Sequence, residues 1–239
     1  ILNQKMEKTN LSILVPVYNE EKTLLDVLKK IKILEKACKL EIIIINDGSK
    51  DKTKKILEDN NKLFSKVIHL DKNFGKGKAV IEGIRQCTNE YIIIQDADLE
   101  YDPTDILEFL EENKKHKYDL IMGSRFIGKK RSVLHFWHMI GNKFITFLFN
   151  IINNTTFTDI YCCYCMFKKD LINVDKLKCY NWGQQAELLT YIVNKKSRIF
   201  EIGISYHGRT YEEGKKIKYY DVFSVIYWII FTKIKKIIA

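Results

Sequence analysis

Glu41-Ile42-Ile43-Ile44-Ile45-Asn46-Asp47-Gly48-Ser49 is the stretch on which the fold turns. Four consecutive isoleucines leave no alternation of apolar and polar positions. The stretch therefore reads as a strand buried on both faces, as in a parallel sheet covered by helices on either side. The polar residues that end it fall beyond the carboxyl end of a strand, where open α/β sheets bind their ligands.

The pattern continues outward in both directions. Residues 11–15 form an apolar run ending at Pro16, and residues 20–36 place Leu24, Leu28, Ile31 and Leu34 on one helical face. Residues 51–60 read as a helix capped by Ser49 or Asp51. Strands follow at 66–70, 91–95 and 120–123, with helices at 77–87 and at 105–115, where Pro103 stands near the start. Strand and helix alternating at this spacing imply right-handed crossovers and a mainly parallel sheet.

The second half is less regular. Residues 133–152 are apolar and aromatic over a helical length, 165–168 and 199–204 read as strands, and 183–194 as a helix. The tail, 216–239, alternates aromatics and isoleucine with lysine. No repeat or low-complexity linker interrupts the chain. One domain over 1–239 is expected, with functional halves at 11–126 and 127–215 and an amphipathic tail at 216–239.

Composition narrows the class. Of 239 residues, 46% are apolar and 29% charged, which excludes a disordered or fibrous chain. No apolar run reaches the ~18 residues of a spanning helix, and residues 1–7 lack the basic-then-apolar order of a signal peptide. The six cysteines (Cys38, Cys87, Cys162, Cys163, Cys165 and Cys179) are expected to be reduced, as in an intracellular protein. The net charge of +10 serves solubility or an anionic partner: nucleic acid, a membrane surface or a phosphorylated substrate. No nucleic-acid motif accompanies it, so nucleic acid is not an expected partner.

Three predicted strands end in polar residues: Tyr18-Asn19-Glu20 after Pro16, Asn46-Asp47-Gly48-Ser49, and Gln95-Asp96-Ala97-Asp98. Asp96 and Asp98 flank one small residue, and carboxylates so close repel unless a cation lies between them. Oxygen ligands alone favour Mg²⁺ or Mn²⁺, which are held by one or two carboxylates plus substrate phosphates. Glu100 can add an oxygen, directly or through water. Before the third helix, residues 73–78 are either a plain turn or a phosphate-meeting helix start with Lys76 beside it. They are not a P-loop, because the glycine spacing differs and Ala79 stands where Ser or Thr is needed.

Val-Pro-Val-Tyr-Asn-Glu (15–20), Asn-Asp-Gly-Ser-Lys-Asp (46–51), Gly-Lys-Gly-Lys-Ala (75–79), Gln-Asp-Ala-Asp-Leu-Glu-Tyr-Asp-Pro (95–103) and Gly-Ser-Arg-Phe (123–126) together resemble the family-2 glycosyltransferases of GT-A fold, in order and in spacing. Residues 206–216 resemble the branch that contains dolichyl- and polyprenyl-phosphate sugar synthases. The resemblance implies inverting, metal-dependent transfer of a sugar from a UDP- or GDP-sugar to polyprenyl phosphate. Pro16, Tyr18, Asn19 and Glu20 would line the nucleotide pocket, joined by Ser49 and Lys76. Asp47 would bind the base, Asp96 the ribose or the metal, and Asp98 the metal at the diphosphate. Arg125 would lie on the acceptor side. The alternatives are transfer to a hydroxyl of a glycan or glycolipid in cell-surface polysaccharide synthesis, and a non-catalytic membrane-associated binder of nucleotide sugars.

Only five of the 40 basic residues are arginine, and three of them (Arg125, Arg131 and Arg209) fall outside the nucleotide motifs. Arginine grips phosphate bidentately, so these three are candidates for an acceptor phosphate; surface solvation and sheet-edge pairing are the other readings. A hydroxyl acceptor would need a general base, for which Asp159 and Glu187 are candidates, although Asp159 would equally serve to orient an arginine. The Cys162-Cys163-Tyr164-Cys165 run lacks the spacing of a zinc site and reads as structural. Residues 222–231, nearly all apolar and followed by Lys233, Lys235 and Lys236, suit a basic amphipathic helix lying in a membrane interface. Residues 144–152 are a second apolar stretch, destined for core or membrane. The expected location is cytoplasmic, peripheral on the inner face of a membrane or beside a membrane-protein partner.

Overall fold

Ile42 to Ile45 are all buried in the second strand of a seven-stranded sheet. The computed structural model describes residues 8–128, 132, 136–208 and 221–238. In chain order the elements are β1 (Asn10–Val17), α1 (Leu24–Lys32), β2 (Lys39–Asn46), α2 (Thr53–Asp59), β3 (Lys66–His69), α3 (Lys76–Gln86), β4 (Tyr91–Ile94), α4 (Ile106–His116), β5 (Leu120–Ser124), α5 (Phe136–Asn153), β6 (Cys165–Lys168), α6 (Gln184–Ile192), β7 (Ile199–Gly203) and α7 (Asp221–Ile238). The sheet order is β3-β2-β1-β4-β6-β5-β7.

The chain winds from β1 through β2 to β3, then returns to place β4 on the other side of β1. That reversal opens a crevice at the carboxyl ends of β1 and β4, the usual ligand position in such sheets. β6 runs antiparallel to both β4 and β5, while β5 and β7 pair in parallel. The reason lies in the connection. The N-terminal part of α5 lines the cavity at the strands' carboxyl ends, so the chain re-enters the sheet from the edge it left. A period-2 or period-3.6 pattern carries no information on that direction.

Local chemistry sets the helix starts. α1 begins at Leu24 rather than Glu20 because the Glu20 carbonyl first accepts the N–H groups of Thr23 and Leu24 in a turn. Leu24, Val27, Leu28 and Ile31 then face the core, as their spacing predicts. Asp51 accepts from the N–H of Thr53 at the head of α2 and from that of Glu21 before α1, tying the two entrances together.

α5 and α7 pack on each other and divide their apolar residues between two environments. Ile145 and Phe149 of α5 and Val225 and Ile229 of α7 are buried. Phe136, Trp137, Ile140, Phe144, Phe147 and Ile151 of α5 are exposed, as are Phe223, Tyr227, Ile230, Ile234, Ile237 and Ile238 of α7. Among the described residues no helix is long and apolar enough to cross a membrane.

Two glycines let the 178–181 loop sit directly on the start of α3. A Cβ on Gly75, which holds φ +98°, would lie 2.5 Å from the Tyr180 carbonyl oxygen, and one on Gly77 would lie 2.3 Å from the Cys179 oxygen. The Gly77 N–H donates to the Tyr180 carbonyl at 3.0 Å. These glycines thus serve close backbone packing, and one N–H of the helix start is already in use. Gly77→Ala is expected to cost about 1–3 kcal/mol by overpacking, lowering the melting temperature by roughly 2–4 °C per kcal/mol. Gly141→Ala, with nothing within 4 Å of the added carbon, should leave the melting temperature unchanged or raise it. Thermal unfolding followed by circular dichroism checks both.

Candidate active site

A cavity of about 1370 Å³ opens at the carboxyl ends of the strands. Its wall includes Pro16 near the end of β1, Tyr18 and Glu20 after it, Asp47 after β2, Asp96, Asp98 and Glu100 after β4, and Arg125 after β5. The polar strand ends therefore converge. Asn19 and Ser49 are not among the lining residues and staple two of the loops that carry them. The Asn19 N–H donates to Ser49 Oγ at 3.0 Å, and Asn19 Oδ1 accepts from the Lys50 N–H at 2.8 Å. Asn19 holds φ +54°, a left-handed conformation that asparagine tolerates well.

Asp47 is 3% exposed and accepts from the N–H groups of Phe74 and Gly75 at 2.8 and 2.9 Å. Burial pushes its pKa up against the pull of these two bonds. Its carboxylate thus shapes the loop before α3 while facing the cavity.

Lys76, the first residue of α3, reaches inward. Its Nζ lies 2.5 Å from Asp96 Oδ1 and 3.7 Å from Cys163 Sγ. Burial is the largest single influence and acts to lower its pKa, but the charge and hydrogen bond of Asp96 together with the charge of Asp98 and the nearby Cys163 hold the pKa above the usual lysine value. Asp98 Oδ1 accepts the Glu100 N–H at 3.1 Å across a turn in which Leu99 takes φ +61°. Thr23 Oγ donates to the Ala97 carbonyl at 2.7 Å, fixing this turn to the head of α1.

Among the described residues no group of three His, Cys, Asp or Glu side chains is drawn together tightly enough to hold a metal unaided. Asp96, Asp98 and Glu100 nevertheless share one wall of the cavity. A donor set of one or two carboxylates with open positions is what Mg²⁺ or Mn²⁺ takes when a nucleotide supplies the remaining oxygens. The residues fit such an ion.

Arg125 is fixed by a buried clamp. Its Nε donates to Asp159 Oδ2 at 2.7 Å, its Nη2 to Oδ1 at 2.9 Å and its backbone N–H to Oδ2 at 3.2 Å. Asp159 is fully buried and also accepts from the Tyr161 N–H. Glu201 supports it from behind, accepting from the backbone N–H groups of Thr158 and Asp159. The guanidinium lies over the Tyr206 ring, 5.2 Å from its centroid. Asp159 is thus paired with Arg125 and is not among the residues that line the cavity. Glu187 is also turned away: it is 1% exposed, and its carboxylate accepts the N–H groups of Lys178 and Cys179. Its task is to hold the loop that covers the start of α3. Arg131 and Arg209 lie outside the described residues.

Tyr206 was not singled out by the sequence. Its hydroxyl donates to Glu100 Oε2 at 3.0 Å and its ring packs on Tyr101 and under Arg125. It thereby links the acidic turn to the arginine. Glu201 also escaped notice, because no local spacing marks a carboxylate that braces a loop 42 residues away. All six cysteines are free and buried, in line with a structural reading of the 162–165 run. The same cavity is also lined by Phe136, Trp137 and Ile145 of α5, Trp182, and Val222 and Trp228 of α7, with the polar His138, Asn142 and Asp221 of the same helices among them.

Residues 12–174 match the model of glycosyl transferase family 2. Poly-beta-1,6-N-acetyl-D-glucosamine synthase of Staphylococcus epidermidis is 37% identical over 136 residues, 56% of this chain and 33% of that protein. The undecaprenyl-phosphate 4-deoxy-4-formamido-L-arabinose transferase of Pseudomonas fluorescens is 34% identical over 112 residues, 44% of this chain and 32% of that protein. The chain therefore spans about a third of the length of these relatives. Among solved structures, glucosyl-3-phosphoglycerate synthase from Mycobacterium tuberculosis with UDP superposes with a TM-score of 0.70 at 14% identity, covering 95% of this chain and 79% of that one. S. aureus TarS 1–349 with UDP-GlcNAc superposes at 0.62 and 16% identity, covering 94% and 66%. These structures share the GT-A architecture, the seven-stranded, mostly parallel sheet described above. With the family model covering well over half of its residues, and with its acidic turn at the sheet reversal, the chain belongs to glycosyl transferase family 2.

Proposed function

We propose that this glycosyltransferase moves a sugar from a UDP- or GDP-sugar to polyprenyl phosphate at a membrane surface, with inversion. The observation that carries the reading is the mixed lining of one cavity. Carboxylates and Lys76 line it together with Arg125 and with aromatic and aliphatic side chains of α5 and α7. An amphipathic acceptor with a phosphate head suits that mixed lining. The undecaprenyl-phosphate transferase among the relatives supports it, and neighbours solved with UDP or UDP-GlcNAc support a UDP-sugar donor.

In this reading Pro16, Tyr18, Glu20 and Asp47 hold the nucleoside, with Asn19 and Ser49 keeping their loops in place. Asp96 meets the ribose or the metal. Asp98, helped by Glu100, would hold Mg²⁺ or Mn²⁺, and the ion would supply positive charge beside the departing diphosphate. Arg125 holds the acceptor phosphate, one oxygen of which attacks the anomeric carbon as the bond to the diphosphate breaks on the opposite side. A phosphate monoester has a second pKa of ~6, so its oxygen is anionic near neutral pH and needs placing rather than deprotonating. That suits a site whose two base candidates, Asp159 and Glu187, are engaged elsewhere.

The exposed apolar faces of α5 and α7 support contact with the interface of a membrane, with the exposed Lys143 and Lys235 beside them for anionic headgroups. The proposed location is the inner face, alone or against a membrane-protein partner. The poly-N-acetylglucosamine synthase at 37% identity favours a second reading, transfer to a sugar hydroxyl of a growing glycan.

The deciding assay follows radiolabel from a panel of UDP- and GDP-sugars into solvent-extractable lipid, with purified protein, polyprenyl phosphate and Mn²⁺. Label should enter the lipid phase, and Asp98→Ala should lower the rate at least ~10²-fold, the scale of losing a group aimed at transition-state charge. Donor binding without labelled lipid sinks the polyprenyl-phosphate reading, and label in a glycan instead establishes the hydroxyl acceptor. Indifference of a measurable transfer rate to Asp98→Ala would remove the metal role.

Asp159→Asn separates orientation from base catalysis. If the carboxylate only orients Arg125, KM for the acceptor should rise about tenfold or more while the shape of the pH–rate profile stays unchanged. Loss of a titrating limb would instead identify a base. For the membrane, Ile230→Asp with Ile234→Asp should reduce flotation with anionic liposomes by at least about tenfold, with donor affinity unchanged.

A further inference from the structure

Lys76 stands at the start of a helix, where a lysine ordinarily extends into solvent. Here its backbone is pinned on both sides: Asp47 accepts from the N–H of Gly75, and the Gly77 N–H donates to the Tyr180 carbonyl. The side chain is delivered to the cavity floor, with Nζ 2.5 Å from Asp96 Oδ1 and 3.7 Å from the buried Cys163 thiol.

Asp96 is the carboxylate that Asp98 would share a metal with. Without a ligand, the pair of negative charges already has a resident positive one. A divalent ion arriving alone would have to share Asp96 with that ammonium and withstand its repulsion. A nucleotide diphosphate changes the balance, because its own negative charge accommodates the lysine and the metal together.

We propose that Lys76 is a resident counter-cation competing with the divalent metal for Asp96, so that metal and nucleotide diphosphate each bind weakly alone and strongly together. The inference rests on the reading that Asp96 and Asp98 hold the metal. By linkage, whatever factor the nucleotide contributes to metal affinity, the metal returns to nucleotide affinity.

The test is Mn²⁺ binding, read from the electron paramagnetic resonance signal of the free aquo ion, with and without UDP and with Asp98→Ala as background. Without UDP, Lys76→Met should bind Mn²⁺ at least about fivefold tighter than the wild type, and the factor by which UDP tightens Mn²⁺ should shrink equally. Lys76→Arg, whose fork can take Asp96 bidentately, should bind Mn²⁺ more weakly than the wild type. Equal or weaker binding by a folded Lys76→Met overturns the proposal. If circular dichroism shows that variant unfolded, Lys76→Arg decides, and unchanged or tighter binding overturns it. Should the wild type take up no Mn²⁺ even with UDP, the metal reading falls and this inference with it. Where the wild type binds Mn²⁺ with UDP but the Lys76 variants match it, this inference alone falls.

Discussion

β1 lies between β2 and β4, in parallel register with both, and the chain winds away from it in two directions. A crevice at the carboxyl ends is a geometric consequence, since the connections leaving β1 and β4 diverge to opposite sides. Each feature of the site takes its position from that divergence. The turn at Asp96–Glu100 leaves β4 and is tied by Ala97 to Thr23 at the head of α1. The loop after β2 presents Asp47, which in turn fixes the loop that delivers Lys76. The acidic turn and its counter-charge are therefore held from β4 and β2, the two neighbours of β1.

Electrostatic cost is managed by pairing. Arg125 and Asp159 are both withdrawn from water, and a buried charge stripped of its partner costs about 3–5 kcal/mol. The bidentate geometry, with two further backbone N–H groups on the carboxylate, leaves little of Asp159 unsatisfied. Glu201 extends the same logic one step outward by holding the backbone on which Asp159 sits. A rigid cation results; in the proposed reaction that rigidity would serve an acceptor phosphate, which a fixed fork grips bidentately.

How much of this was legible in the sequence depends on the distance over which each residue acts. The isoleucine run at 42–45, the apolar face of α1 and the acidic pair after 91–94 are local patterns, and the fold follows from them. The cavity wall was legible for the same reason, since a residue at a strand's carboxyl end must stand near the crevice. Other roles depend on contacts across tens of residues. Asp159 meets Arg125 at a separation of 34, and Gly77 meets Tyr180 at more than a hundred. From spacing alone Asp159 reads equally well as a base and Gly77 as part of a phosphate cradle; only the packing assigns them to a clamp and to a close backbone approach. The direction of β6 was hidden likewise, because it follows from where α5 lies rather than from the β6 sequence.

α5 was ambiguous between core and membrane, and the ambiguity was physical. With 3.6 residues per turn, an apolar helix can bury one stripe and expose another. Ile145 and Phe149 take the first, and Phe144, Phe147 and Ile151 the second. A helix that only filled a core would carry polar residues on its outer face, and one that only met lipid would be free to do so on its inner face. Both stripes are apolar here, and α7 repeats the arrangement with Val225 and Ile229 inside and Tyr227, Ile230 and Ile234 outside. Residues of the same two helices also line the cavity. The exposed faces and part of the cavity lining are therefore carried by one pair of helices, and a surface covering α5 and α7 would lie against the helices that wall the cavity.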